Sequence, residues 1–175
     1  MRKRTVPAMV AVFVIGIAVG AVAARKGIDS SLYHGKSKQE AGKALLEIAK
    51  VQAGKGSWER IGVGRVYYLG GMKAEGQKIF DEVTAKNPEP TDWWRIGRVY
   101  YEAGEWDKAK TAFDNAMAKN QKDDKGWAQL GAFYNLKGDR AKAEELFDKS
   151  FQLESGEVWN TSAIAGSYLG VTPQE

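Results

Sequence analysis

The residue types best suited to catalysis are scarce in this chain and badly placed for it. There is no cysteine among the 175 residues, so no disulfide, thiolate nucleophile or thiolate metal site can be built. The one histidine, His34, stands in a polar stretch without a second histidine or a cysteine to complete a constellation. Carboxylates recur beside lysines, as in Lys142, Glu144, Glu145 and Lys149. That is the spacing of ion pairs along a solvated helix face. The glycines recur at a fixed period and form no G-x-x-x-x-G-K phosphate cradle. Asn160-Thr161-Ser162 has the form of a glycosylation acceptor, of use only in a eukaryotic secretory setting. No catalytic residue, resident metal or cofactor is expected.

Arginine and aromatic residues are the better lead. Gly-Arg-Val-Tyr-Tyr occurs at Gly64–Tyr68 and again at Gly97–Tyr101. Arginine, tyrosine and tryptophan are the usual anchors of protein interfaces, and paired arginines suit a carboxylate.

The elements that carry these residues follow from a wider repetition. Aligned on Gly64, Gly97 and Gly131, the chain has tyrosine three residues later, at 67, 100 and 134. Glycine recurs seven residues on (71, 104, 138), a small residue twelve on (Gly76, Ala109, Ala143) and phenylalanine sixteen on (Phe80, Phe113, Phe147). Trp93, Ile96, Gly97 and Tyr100 share one face of a helix. Gly104 supplies a left-handed stop, and Ala109, Phe113 and Ala116 mark a second helix. Small residues let the two helices close while Tyr and Phe fill the space between them.

"WAQLGAFYNLKGDRAKAEELFDKS" and "WWRIGRVYYEAGEWDKAKTAFDNA" resemble the tetratricopeptide repeat, W-x2-L-G-x2-Y followed by A-x3-F. The resemblance covers residues 57–153 as three repeats, the first departing from the pattern with Arg60 in its tryptophan slot. It implies an all-α, right-handed solenoid of about three helix pairs. Ser37-x-x-Glu40, a capping box, opens a solitary helix through about Ala53, with Ala44, Ile48 and Val51 on one face. Glu157–Leu169 reads as one more first-type helix, so about eight helices are expected beyond the N-terminal segment.

In each first helix a second face lies about a third of a turn from the packing face. It carries Trp58, Ile61, Arg65, Tyr68 and Leu69, then Thr91, Trp94, Arg98, Tyr101 and Glu102, then Lys125, Ala128, Ala132, Asn135 and Leu136. The resemblance implies that this face lines a concave groove for a protein or peptide partner. Trp58, Arg65, Tyr68, Trp94, Arg98 and Tyr101 are the candidate partner-binding residues. The competing reading is that Tyr68 and Tyr101 pack between repeats and the arginines solvate the surface. The third repeat has Ala132 and Asn135 in place of Arg and Tyr, which confines the candidate site to the first two. Family members that clamp a terminal carboxylate use lysines and asparagines at positions this chain does not match.

The N-terminus is of another character. Val6–Ala24 is a run of 19 residues without a charge, long enough to cross a bilayer as a helix. Arg2, Lys3 and Arg4 precede it, and Arg25 and Lys26 follow. Two readings compete, a membrane anchor and a signal peptide processed near Ala21-Val22-Ala23. Either leaves the N-terminus cytoplasmic and exports the remainder, although the basic residues beyond Ala24 leave the inverse topology open. Gly16 and Gly20 form a G-x-x-x-G suited to packing of membrane helices. The net charge of +4 belongs to this end of the chain: residues 25–55 hold seven basic and three acidic side chains, and residues 56–175 carry −3. A nucleic-acid partner is not expected of so acidic a repeat region.

The domains expected are an anchor or signal over 1–26, a linker with the solitary helix over 27–56, the repeats over 57–170 and a tail over 171–175. The functional expectation is a single-pass scaffold or adaptor at the inner membrane of a cell envelope, its repeats periplasmic. The alternative is an accessory subunit of a larger membrane complex, docking through the anchor helix and its terminal surfaces, where Val158, Trp159, Ile164, Tyr168 and Leu169 spread round the last helix.

Overall fold

A computed structural model describes residues 28–174. The apolar run 6–24, with Gly16 and Gly20, lies outside them. Among the described residues there are eight α-helices, a 3-10 turn at Ser30–Leu32 and no strand. No helix among them is long and apolar enough to cross a membrane. The chain divides into two compact units, the first ending at Pro88 and the second beginning at Glu89.

The first unit holds α1 (Lys38–Gln52), α2 (Ser57–Leu69) and α3 (Lys73–Thr84). The capping box is formed as expected, with the Glu40 amide donating to Ser37 Oγ and the Ser37 amide donating to Glu40 Oε2. The apolar row on α1 is only partly as expected. Ile48 is buried, but Val51 is 46% exposed, and Leu46 joins Tyr67 and Ile79 in the core instead. Beside that cluster the Tyr67 hydroxyl, from α2, donates to Glu47 Oε1 at 2.7 Å.

The α2–α3 hairpin shows why the repeat spaces glycine and phenylalanine as it does. A Cβ on Gly64 would stand 2.6 Å from Phe80 Cε1. The same approach recurs at Gly97 and Phe113 (2.4 Å) and at Gly131 and Phe147 (2.6 Å). Each phenylalanine ring therefore fills the volume that a side chain on the first helix would have needed. At the small position the obstacle is backbone: a Cβ on Gly76 would meet Gly64 O at 2.7 Å. Ala109 and Ala143, its counterparts, are wholly buried. Arg60, in the tryptophan slot, pairs with Glu82 across the hairpin. Trp127 in the third repeat is bridged from the same place, with Lys149 Nζ 5.1 Å from its ring centre.

The second unit holds α4 (Pro90–Glu102), α5 (Trp106–Lys119), α6 (Asp124–Leu136), α7 (Arg140–Leu153) and α8 (Val158–Tyr168). Pro90 opens α4 where its missing N–H costs nothing. The helix ends as its glycine dictates. Gly104 has φ +76°, its amide donates to Tyr101 O at 3.0 Å, and the Glu105 amide donates to Tyr100 O at 2.9 Å. These two bonds satisfy carbonyls that the helix end would leave open. α4 packs on α5 and α6 on α7; α8 then packs on α6, as the first helix of a further repeat would.

That last packing corrects two readings of the sequence. The third-repeat face does not line an open groove, because Ala128 and Ala132 are wholly buried with Ile164 of α8, in one cluster with Ala143 and Phe147. The acceptor-like Asn160 is also wholly buried, its Nδ2 donating to Asp124 Oδ2 at 2.5 Å, so it is closed to glycosylation. Asn135 likewise turns to α8 and donates to Ser167 Oγ at 3.0 Å.

Candidate functional site

The six candidate residues fall three to each unit and meet different fates. In the first unit Trp58 is 62% exposed, and Arg65 is exposed. Tyr68 is buried, its ring 5.6 Å from that of Phe80 and the Lys73 ammonium 5.5 Å from its centre. Its ring therefore lies within its own hairpin, against the second helix.

In the second unit Trp94 is buried with its ring 4.9 Å from Phe113. Tyr101 is half-buried between Trp106 (6.2 Å) and Phe133 (4.7 Å), and this burial pushes its phenol above the usual value. Arg98 is the centre of a built site. Its Nη2 donates to Gln129 Oε1 of α6 at 2.8 Å, and its guanidinium lies 5.5 Å from the centre of the Phe133 ring. Aromatic face and amide together hold the fork in one orientation.

What the fork holds is the segment that follows α8. Arg98 Nη1 donates to Pro173 O at 2.7 Å and Nη2 to Gln174 O at 3.1 Å. Pro173 is itself buried. Beside this contact a cavity of about 190 Å³ opens between α4 and α6, lined by Thr91, Trp94, Arg95, Arg98, Asp123, Lys125, Gly126 and Gln129. Asp123 is already engaged as the α6 cap, accepting from the Gly126 amide at 2.9 Å. The walls thus combine an aromatic surface with cationic and amide donors. Such a lining suits an extended peptide, whose backbone offers a row of carbonyls and whose apolar side chains need cover.

Sequence reasoning identified Trp94 and Arg98 and missed Gln129, Pro173 and Gln174. Gln129 is 7% exposed and sits one position from Ala128, on a helix whose expected groove face proved to be packing. A glutamine set between Ala128 and Leu130 in mid-helix is the signal that could have marked it, since a buried amide needs a partner.

The other chemistry-bearing residues are accounted for locally. On α7, Arg140 pairs with Glu144 at 2.8 Å, and Lys142 and Lys149 pair with Glu145 at 2.7 and 3.0 Å. These hydrogen bonds hold both carboxyls below the usual range. His34 rests edge-on against Tyr33, their ring centres 4.8 Å apart.

The model of the tetratricopeptide repeat family matches this part of the chain over residues 90–123. Residues 90–123 are thus similar to a tetratricopeptide repeat. The repeat comprises α4 and α5, and so contributes Trp94 and Arg98 to the cavity wall. The hairpins α2–α3 and α6–α7 repeat its glycine–phenylalanine packing. Two solved structures share the fold. A crystal structure of MamA is 20% identical with a TM-score of 0.51, covering 75% of this chain and 77% of that one. A second, of MamA protein, is 18% identical with a TM-score of 0.50, covering 90% and 81%. No protein of curated function matches the sequence. The all-α fold expected from the sequence is present, similar to that of tetratricopeptide repeats and without strands among the described residues.

Proposed function

We propose that this chain is an adaptor that captures an extended segment of a protein partner in the groove between α4 and α6. The observation that carries the reading is Arg98, held by Gln129 and Phe133 and donating to two backbone carbonyls of the irregular segment after α8. A site that grips carbonyls beside a cavity is built for peptide and has no arrangement of nucleophile, base and orienting group. The protein is a binding module, not an enzyme, and takes neither cofactor nor nucleic acid.

The run Val6–Ala24 anchors it in the inner membrane, with the repeats on the extracytoplasmic side; in the variant reading this run is removed as a signal and the repeats are exported soluble. N-terminal sequencing of the mature protein separates the two. For the groove, Arg98→Glu should strip partners from the chain in pull-downs from solubilised membranes, and Arg65→Glu should leave them. An unchanged partner set with Arg98→Glu would end the groove reading.

A second reading has its own observation. Val158, Trp159, Leu169 and Val171 are each more than half exposed at the α8 end of the second unit. An accessory subunit of a membrane complex would dock through such a surface. Trp159→Glu, which leaves the groove alone, should then release the chain from the complex while retaining groove partners.

A further inference from the structure

The segment after α8 occupies part of the groove assigned above to a partner. It leaves α8 through a turn in which the Val171 amide donates to Gly166 O at 2.8 Å and Gly170 has φ +78°. Of Val171, Thr172, Pro173 and Gln174, only Pro173 is buried. Both bonds from Arg98 go to backbone carbonyls, at 2.7 and 3.1 Å. The segment is thus held by features that any extended chain with a well-placed proline presents. It does not fill the site: the open cavity shares Arg98 and Gln129 as wall residues.

We propose that residues 171–174 are a latch, a built-in competitor for the groove. The partner they compete with is an extended, proline-containing protein segment that offers two successive carbonyls to Arg98. The proposal rests on the reading of the groove as a peptide site. A segment tethered within a few residues of its site acts at an effective concentration in the millimolar range. A partner must exceed that competition, or bring further contacts in the cavity lined by Thr91, Trp94 and Gly126. Proline lowers the entropy the segment loses on seating, which favours the closed form.

The test is binding of a fluorescent peptide of residues 167–175, followed by anisotropy, to the full chain in mild detergent. A chain stopped after Val171 should bind this peptide about tenfold more tightly than the intact chain, as the tethered competitor is gone. Adding Arg98→Ala to the shortened chain should abolish that gain. Thr172→Gly with Pro173→Gly, in a chain of unaltered length, should give a smaller gain at an unchanged melting temperature. This second variant guards against a fold disturbed by shortening. Equal affinity for the intact and shortened chains would overturn the latch. The groove reading would survive that result if Arg98→Glu still released partners, and would fail separately if it did not. Absence of peptide binding to the shortened chain would also overturn the latch. So would a concentration-dependent dimer abolished by shortening, because the segment would then pass between copies.

Discussion

The two copies of Gly-Arg-Val-Tyr-Tyr begin as the same object and end as different ones. In both, the glycine faces a phenylalanine sixteen residues on, and the first tyrosine is buried. In the first unit the arginine is exposed and the second tyrosine lies in the core on Phe80. In the second unit the arginine is half-buried, oriented by Gln129 and Phe133, and holds the chain at Pro173 and Gln174. Identical local sequence produces helices of equal length and the same glycine–phenylalanine approach. Whether the arginine becomes a binding group depends on what another helix and a distant segment place opposite it.

The comparison can be broken first at its shared part. Phe80→Ala and Phe113→Ala each remove a fully enclosed ring against glycine, and should each cost about 3–5 kcal/mol in denaturant unfolding. Near-equal losses are expected; a large inequality would mean that the two hairpins are not packed alike. The groove comparison comes next. Arg98→Ala removes charge-assisted hydrogen bonds worth about 1.5–3 kcal/mol, so partner affinity should fall roughly 10- to 100-fold, whereas Arg65→Ala should change it less than twofold. Isothermal titration with an isolated partner measures both.

A third test sharpens the difference between the hairpins. Gly76→Ala forces a methyl group against the Gly64 carbonyl and the Tyr68 backbone, and should cost about 1–3 kcal/mol. In the second unit alanine is the native residue at the matching position 109, so the tolerance of the two hairpins is not the same. A neutral Gly76→Ala would show that α2 and α3 can separate without loss.

The smallest effect is one of pH. Burial, then the bond to Glu47, raises the Tyr67 phenol above its ordinary value. The folded state therefore keeps a proton that the unfolded state releases near pH 10. Its contribution is complete below that pH and is lost as pH rises above it. Tyr101 and Tyr134 are shifted the same way by burial, so Tyr67→Phe should reduce the alkaline fall in stability without removing it. Melting curves between pH 8 and about pH 11 would show the reduced slope.

Much of the fold was legible in the letters. The capping box at Ser37 and Glu40, the glycine stop after α4 and the pairing of each glycine with its phenylalanine are local matters. Each requires only a known periodicity and a residue of fixed size or backbone freedom. The helix Val158–Tyr168 was legible too, within a residue at either end. Its consequences were not. Covering Ala128 and Ala132 depends on how α8 crosses α6, which no spacing within either helix encodes. The same crossing buries Asn160 and makes its acceptor-like triplet inert.

The amino-acid sequence by itself determined that the chain repeats, where each hairpin turns, and that Arg98 stands on the face of α4 away from the glycine. Only the tertiary structure decided what stands opposite Arg98. Its partners Gln129 and Pro173 lie 31 and 75 residues away, and nothing periodic connects them. A helix face is set by 3.6-residue geometry, but a binding site is set by convergence of elements in space, and that convergence is decided by packing.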